Sequence, residues 1–222
     1  SCSFDAKNPH MGTYGNATAD EFNVTREQQD AWAERSHRLA AASVNKFAQE
    51  IAPVEIAQRK GEPVVVDKDE AIRPATTLET LANLRPAFGK DGTITAGNAP
   101  GVNDGACAVV LMSEERAQKE GRQPLATILG HAEIGVAPKD FPQTPGLVIN
   151  ELLKKTGKTI ADIDLVEINE AFAAVALVSN QIAGSSEDKV NVNGGAVALG
   201  HPIGASGARI ILTLAYELRR RG

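Results

Sequence analysis

Cysteine is scarce in this chain, which has only Cys2 and Cys107 among its 222 residues. Two cysteines cannot form the disulfide framework that holds small secreted domains together. We therefore expect a reducing environment and a cytoplasmic location. No secretory signal opens the sequence, which agrees with that expectation.

Excess positive charge and long hydrophobic runs are also missing. The chain has 23 basic and 28 acidic residues, a formal net charge of −5, so it lacks the basic footprint of a nucleic-acid-binding protein. The longest apolar runs, near residues 107–112 and 172–178, are much shorter than the about 20 residues that a helix needs to cross a bilayer. We expect no nucleic-acid partner and no membrane partner.

Glycine, by contrast, is concentrated around one histidine. Within residues 191–210, five glycines surround His201, at positions 194, 195, 200, 204 and 207. Glycine allows close backbone approaches that a Cβ forbids, and α/β folds place ligands in loops at strand ends. An isolated histidine is more often structural. However, the segment Asn-Glu-Ala-Phe-Ala at 169–173 begins 32 residues before His201 and also joins a predicted strand to a helix, so the two loops together predict a functional site.

Hydrophobic patterning predicts an α/β chain in which a sheet is covered by helices. Residues 1–24 show little periodicity and are predicted to be loop, and Thr25 is predicted to begin a helix through a capping box with Gln28. The remaining predicted helices cover 78–84, 113–119, 144–157, 171–182 and 205–221, with Ser113 and Thr144 as N-caps. The predicted strands cover 54–56, 64–66, 102–112, 126–135, 164–168 and 190–193.

Four ordered motifs, spread over nearly the whole chain, carry a resemblance to the thiolase family. They are His-Met-Gly at 10–12, the loop and strand at 93–106, Asn-Glu-Ala-Phe at 169–172 and Gly-His-Pro at 200–202. The resemblance implies a layered α/β/α thiolase-like sheet domain, here incomplete, preceded by a coenzyme-binding α+β loop domain. It divides the chain into the later part of the inserted loop domain (1–101), the last strand-helix piece of the N-terminal half (102–122) and the C-terminal half without its last two strands (123–222).

The same resemblance implies the activity, which is thiolytic cleavage or Claisen condensation of acyl-CoA in fatty acid metabolism. The branch of the family that this chain resembles most acts on acetyl-CoA as an acetyltransferase. His201 then corresponds to the histidine that stabilises the thioester oxyanion and helps to activate a cysteine, and Asn169 to the asparagine that holds a water in the same oxyanion hole. One such donor is worth about 3 kcal/mol of barrier. A purely structural alternative makes Asn169 a helix N-cap, which is compatible with the catalytic role.

The family resemblance also implies a set of coenzyme A contacts, with the acyl-CoA thioester as substrate and no separate cofactor. Pro100 departs from many relatives, which have serine there, and proline has neither a hydroxyl nor an amide hydrogen to replace it. A surface arginine or an aromatic core residue is the ordinary alternative for several of these positions. The implied contacts are His10, Met11, Arg73, Thr80, Phe88, Ala96, Pro100, Gly101, Phe141, Ala171 and Phe172.

Cys107, His37, His131 and the glycine loop do not support other chemistries. Cys107, in a predicted apolar strand, is expected to be inert, and His37 and His131 lack the neighbours of a zinc site, so no metal is expected. The glycine loop spells neither a P-loop nor a dinucleotide fingerprint, which argues against nucleotide hydrolysis and hydride transfer.

Compared with a thiolase, the chain begins at Ser1 without the segment that carries the nucleophilic cysteine, and it ends at Gly222 before the Cys-x-Gly turn. We therefore expect a piece that is inactive alone, that pairs with the missing N-terminal segment and that belongs to a homo-oligomer, a dimer or tetramer. Two alternatives stay open: a longer-chain 3-ketoacyl-CoA thiolase, and a non-catalytic CoA-binding or assembly module.

Overall fold

A cluster of helices forms the core of this protein, whose computed structural model describes residues 7–222. The helices are α1 (Met11–Glu21), α2 (Arg26–Ala42), α3 (Val44–Phe47), α4 (Leu78–Ala82), α5 (Glu114–Lys119), α6 (Thr144–Thr156), α7 (Ala173–Ala183), α8 (Ala196–Leu199) and α9 (Ile203–Arg221). Strands β1 (Val54–Ile56) and β2 (Val64–Val66) form an antiparallel pair in which Glu55 lies opposite Val65. Within residues 7–222, short 3-10 helices cover Pro138–Gln143, Ile160–Asp162 and Glu187–Lys189.

Helix α7 lies at the centre because it is apolar on nearly every face. Residues 173–180 are all buried, and α7 packs against α1, α2 and α6. A helix that is hydrophobic all round must be covered on all sides. The core around it includes Trp32 of α2 and Ile94 of the loop between α4 and α5, both almost completely buried. The residues that follow the Asn-Glu-Ala-Phe motif are therefore anchored in the buried core of the chain.

Helix α1 corrects the prediction that residues 1–24 are loop, of which residues 1–6 lie outside the described part. His10 caps α1, since the amide of Gly12 donates to its Nδ1. The buried face consists of small residues, Gly12, Gly15, Thr18 and Ala19. Such a face has helical spacing but little hydrophobicity, so the periodicity that predicts amphipathic helices is weak here. A Cβ on Gly15 would lie 2.6 Å from Ile94, which explains why this face is small.

Most other helix boundaries agree with the sequence prediction to within two residues. The capping box at Thr25 is confirmed, because Thr25 accepts from the amide of Gln28 while the Gln28 side chain accepts from the amide of Thr25. Ser113 caps α5 as predicted. Thr144 is the first residue of α6 rather than its cap, and its hydroxyl donates to the carbonyl of Phe141.

Only two of the six predicted strands are present in full. The pair 54–56 and 64–66 is confirmed, whereas 102–112 and 126–135 have no regular secondary structure. The strands predicted over 164–168 and 190–193 are reduced to one parallel bridge between Val166 and Val190. A strand is defined by hydrogen bonds to a neighbour, and an apolar pattern alone does not supply one. Val110, Leu111 and Leu129 are accordingly 85%, 72% and 77% exposed.

None of the helices in the described part of the chain is both long and apolar enough to span a membrane.

Candidate active site

Glycines shape the loop that carries His201. Gly194 and Gly200 have φ values of +81° and +88°, a region that side chains with a Cβ rarely adopt. A Cβ on Gly200 would collide with the side chain of Asn103, and one on Gly194 would collide with the backbone of α2. The amide of His201 donates to the carbonyl of Gly101 at 3.3 Å, so the loop is also tied to residues 101–103. Gly194 and Gly200 are therefore required both by their positive φ angles and because a Cβ would have no room.

Asn169 and His201, which are 32 residues apart in sequence, meet in this structure. Nδ2 of Asn169 lies 3.3 Å from Nε2 of His201. On the other side of the ring, Nδ1 of His201 lies 2.6 Å from the hydroxyl of Ser206, in the first turns of α9. Both side chains of the predicted catalytic pair therefore belong to one group, although the roles assigned to them remain predictions.

The imidazole of His201 is half-buried, and this burial lowers the pKa of His201 below its usual value. Removing a cation from water is unfavourable, which is why a buried histidine prefers its neutral form. At neutral pH the ring can therefore accept a proton or hydrogen-bond as a neutral group.

Glu170 joins the two motifs. Its carboxylate is completely buried and accepts four hydrogen bonds of 2.8–2.9 Å, from Trp32 Nε1, Ser36 Oγ, Asn191 Nδ2 and the amide of Val197. Four donors satisfy the acceptor sites of an ionised carboxylate. Two of these donors come from α2 and two from the glycine-loop segment 191–200, so Glu170 fixes the distance between the loops of Asn169 and His201.

Asn191 holds the residue before Asn169 in the same way. Its Oδ1 accepts from the amide of Ile168 and its Nδ2 donates to the carbonyl of Ile168, both at 2.8 Å. Asn191 has φ +46°, a left-handed conformation that asparagine tolerates better than most residues. With Ile168 and Glu170 both fixed, the Asn169 backbone has little freedom.

Three aromatic rings form a continuous path near Asn169. The ring centroids of His10 and Phe88 are stacked 4.5 Å apart, and Phe88 meets Phe172 edge-on at 5.8 Å. A Cβ on Gly12 would collide with the Phe88 ring, so this glycine is needed for the stack. Phe141 and Ala171 pack against the same core as Phe172. Four of the predicted coenzyme positions thus belong to one hydrophobic cluster, and the exposed His10 contacts that cluster through Phe88.

The remaining predicted coenzyme positions are more dispersed. Arg73, Thr80 and Ala96 are exposed, and Met11 and Pro100 are half-buried. Thr80 is occupied locally, since its hydroxyl donates to the carbonyl of Thr77. The backbone amide of Arg73 donates to Nδ1 of the buried His37, which leaves the Arg73 guanidinium at the surface. Gly101 takes part in the His201 loop through its carbonyl.

Sequence reasoning missed Glu170, Asn191 and Ser206 as members of this group. Glu170 lies inside the quoted Asn-Glu-Ala-Phe motif, and a charged residue between an apolar strand pattern and an apolar helix is the signal of a buried, paired carboxylate. Ser206 lies five residues after His201, in the first turn of α9, which begins at Ile203 rather than at residue 205 as predicted.

Cys107 lies half-buried in an irregular segment, which corrects its predicted position in the middle of a strand. Cys2 lies outside the described residues. Within residues 7–222, no cluster of three or more histidine, cysteine or acidic side chains could hold a metal ion.

Comparison with known proteins gives consistent matches along the chain. The family model described as thiolase, N-terminal domain, matches residues 3–115, and that described as thiolase, C-terminal domain, matches residues 122–222. An acetyl-CoA acetyltransferase of Thiocystis violacea is 52% identical over 214 residues, covering 96% of this chain and 54% of the relative. A probable acetyl-CoA acyltransferase of Staphylococcus epidermidis is 47% identical over 211 residues, covering 94% of this chain and 54% of the relative.

Among solved structures, the crystal structure of the Bacillus anthracis acetyl-CoA acetyltransferase superimposes with a TM-score of 0.93 at 46% identity. The match covers 96% of this chain and 55% of that one. The chain thus spans about half the length of the relatives that it matches.

Proposed function

The chain belongs to the thiolase family, and on this premise we propose that it supplies the His201–Asn169 side of the active site of an acetyl-CoA C-acetyltransferase. The observation that carries the proposal is the contact between Nε2 of His201 and Nδ2 of Asn169, at the meeting point of two loops fixed by Glu170. The nucleophilic cysteine in this proposal lies outside the 222 residues.

The proposed chemistry uses His201 twice. In the condensation direction, a cysteine thiolate attacks the thioester carbonyl of one acetyl-CoA and displaces the coenzyme A thiolate, which takes up a proton. In thiolytic cleavage it attacks the 3-keto carbonyl of acetoacetyl-CoA, and the C–C bond breaks to release the enolate of acetyl-CoA, whose negative charge lies on the thioester oxygen until the enolate takes up a proton. A neutral imidazole at His201 can take the thiol proton, and the resulting imidazolium can then donate a hydrogen bond to that oxygen. Asn169 supports the same oxyanion through an amide N–H or through a water that it holds. The lowered pKa of His201 suits the first step, because the ring is unprotonated before it acts.

For coenzyme A we propose two regions. The apolar region formed by His10, Phe88, Phe141, Ala171 and Phe172 fits the pantetheine chain, which is long and mostly uncharged. Arg73 is exposed and fits a phosphate of the coenzyme. The other proposed contacts are Met11, Thr80, Ala96, Pro100 and Gly101.

The exposed apolar segments support a proposal about partners. Residues 102–112 and 126–135 include Val110, Leu111 and Leu129, which are largely exposed although their pattern is that of buried strands. We propose that they pair with the segment that occupies the uncovered part of the relatives, and that the complete subunits associate as dimers or tetramers. In this proposal, residues 1–101 belong to the loop domain, 102–122 to the N-terminal half and 123–222 to the C-terminal half, in a cytoplasmic protein.

The names of the relatives favour acetyl-CoA over longer acyl chains, since the Thiocystis violacea and Bacillus anthracis proteins are both acetyl-CoA acetyltransferases. A longer-chain 3-ketoacyl-CoA thiolase remains the second enzymatic candidate, and relative rates with acetoacetyl-CoA and a longer 3-ketoacyl-CoA separate the two. A non-catalytic CoA-binding module is the candidate of a different class.

The decisive experiment combines this chain with the part of the Thiocystis violacea relative that it does not cover, and measures the thiolysis of acetoacetyl-CoA. We expect no turnover by the chain alone and turnover by the combination. His131→Ala is the control for the His201→Ala variant of the combined protein. The His131 side chain is exposed, and the hydrogen bond from Lys155 goes to the His131 backbone carbonyl. Iodoacetamide-sensitive turnover by the chain alone would refute the assignment of the nucleophile, and an inactive combination that still binds coenzyme A would favour the binding module.

A further inference from the structure

Three side chains and one carbonyl form a hydrogen-bonded line through the His201 ring. Nδ2 of Asn169 lies 3.3 Å from Nε2, Nδ1 lies 2.6 Å from Oγ of Ser206, and Oγ of Ser206 lies 3.0 Å from the carbonyl oxygen of Pro202. Ser206 is 5% exposed, so water does not compete for its hydroxyl. Each atom in this line must either donate or accept, which constrains where the protons are.

The positions of the protons follow from the two ends of this line, the Asn169 amide and the Pro202 carbonyl. Nδ2 of Asn169 is an amide nitrogen, which only donates, so Nε2 of His201 must accept. A neutral imidazole has one N–H, which is then on Nδ1 and donates to Oγ of Ser206. The single proton of the Ser206 hydroxyl is left to donate to the carbonyl of Pro202, a contact that the structure contains. The direction assigned from Asn169 and the direction assigned from Pro202 agree.

We propose that Ser206 is a positioning residue that holds His201 in the Nδ1–H tautomer and so leaves Nε2 as the proton acceptor beside Asn169. The tautomer follows from the contacts of this chain alone, whereas its catalytic consequence rests on the proposed function. With Nε2 unprotonated, the ring is ready to take a thiol proton. After that transfer the ring keeps its Nδ1–H bond to Ser206 and gains an Nε2–H. Two donors cannot bond each other, so the Asn169 amide must then turn away from Nε2 before this N–H is available to the oxyanion.

Two other histidines provide internal controls, because their Nδ1 atoms accept hydrogen bonds whereas Nδ1 of His201 is assigned as a donor. Nδ1 of His37 accepts from the amide of Arg73 at 3.1 Å, and Nδ1 of His10 accepts from the amide of Gly12 at 3.3 Å. An Nδ1 that accepts from a backbone amide carries no proton, so a neutral ring there has its proton on Nε2. His10 and His37 should therefore show the Nε2–H tautomer in the same sample in which His201 shows Nδ1–H.

The test is a two-bond ¹H–¹⁵N correlation of the imidazole rings, recorded on the ¹⁵N-labelled chain both free and with the unlabelled complementary segments. Spectra of His201→Ala and His37→Gln assign the signals. We expect Nδ1 to be the protonated nitrogen in His201 and Nε2 in His37. An Nε2–H tautomer at His201 overturns the proposal, whatever the outcome of the thiolysis assay, and corresponds to the opposite orientation of the Asn169 amide.

Variants then decide whether Ser206 is the cause. Ser206→Ala should convert His201 to a mixture or to the Nε2–H form, and should lower turnover of the combined protein about tenfold, the effect of losing one hydrogen bond. Ser206→Thr, which keeps the hydroxyl, should restore both. Ser179→Ala is the matched control, since Ser179 is also buried but its hydroxyl has no hydrogen-bond partner within residues 7–222.

If Ser206→Ala does not fold, Ser206→Cys replaces it, because a thiol keeps the volume but is a poor hydrogen-bond acceptor. An unchanged Nδ1–H tautomer in either variant refutes the role of Ser206. Loss of the Nδ1–H tautomer in the Ser179→Ala control refutes it as well, since the effect would then not be specific.

Discussion

The substitution Glu170→Gln should destabilise the chain strongly, although it changes one oxygen to an NH₂ group. Glu170 is fully buried, and each of its oxygens accepts two hydrogen bonds: Oε1 from Trp32 and Asn191, Oε2 from Ser36 and Val197. An amide can orient its oxygen toward only one of these pairs. The NH₂ group then faces two donors, so two hydrogen bonds to a charged acceptor are lost. On the Ser36 side the hydroxyl can turn toward the carbonyl of Gly195 and accept from the NH₂ group, which still leaves the buried amide of Val197 without an acceptor.

The magnitude follows from these counts. A hydrogen bond to a charged group contributes about 1.5–3 kcal/mol, and breaking a buried charged network costs about 3–5 kcal/mol. We expect Glu170→Gln to lower the free energy of unfolding by about 3–5 kcal/mol. Domains of this size are stable by only about 5–15 kcal/mol, so the variant should unfold at a much lower urea concentration.

Fluorescence of Trp32, the chain's only tryptophan, measures this unfolding directly, since its indole N–H donates to Glu170. Urea titrations of the wild-type chain and the variant give the difference. The control is Glu120→Gln, at a surface ion pair with Arg116, which should change stability by less than about 0.5 kcal/mol. A loss below about 1 kcal/mol for Glu170→Gln would show that the carboxylate does not hold the two loops together.

Three further predictions concern activity, pH and assembly. In the combined protein, His201→Ala should lower turnover at least about 10²-fold and Asn169→Ala somewhat less, as measured by thiolysis; near-normal turnover of His201→Ala makes that histidine structural. Burial opposes ionisation of Glu217, but hydrogen bonds from Asn193, Arg221 and Arg220 set its pKa to about 2. Stability from Glu217 should therefore be full above its unfolded pKa of 4.5 and decline as pH falls toward 2, a decline that Glu217→Gln removes in acid titrations followed by circular dichroism. Amides of 102–112 should exchange hydrogen rapidly in the free chain and slowly with the complementary segments; equal rates contradict the proposed pairing.

Helices were predictable from this sequence where their signals are local. The capping box at Thr25 acts within one turn and is found as expected. Gly157, in the left-handed conformation at the C-cap of α6, ends that helix within one residue of the predicted position. The exception, α1, buries glycine, threonine and alanine rather than large apolar residues, so its pattern has helical spacing without a hydrophobic signal. The apolar segments 102–112 and 126–135 show the opposite limit. Their composition is typical of strands, but a ladder requires a second segment whose presence no local pattern reports.

The candidate site shows the same division between local and distant information. The sequence motifs indicate His201 and Asn169 as a pair, and the structure brings them within hydrogen-bonding distance. The sequence does not reveal that Ser206 contacts Nδ1 of His201, because that contact depends on the backbone path between the glycine loop and α9. It also does not reveal the partners of Glu170, since Trp32 and Ser36 come from a helix more than a hundred residues earlier.

The arrangement of buried and exposed regions explains how the proposed half of an active site can be ordered without its complement. Asn169 directly precedes Glu170, which is bound to α2 and to the glycine loop, and His201 is bound to Gly101 and Ser206. None of these bonds involves the exposed segments around Val110 and Leu129. The geometry of His201 and Asn169 is therefore set by the helical core, and a complementary segment needs only to deliver its nucleophile to a site that is already formed. If this reasoning is correct, the His201 tautomer should be the same in the free chain and in the combined protein.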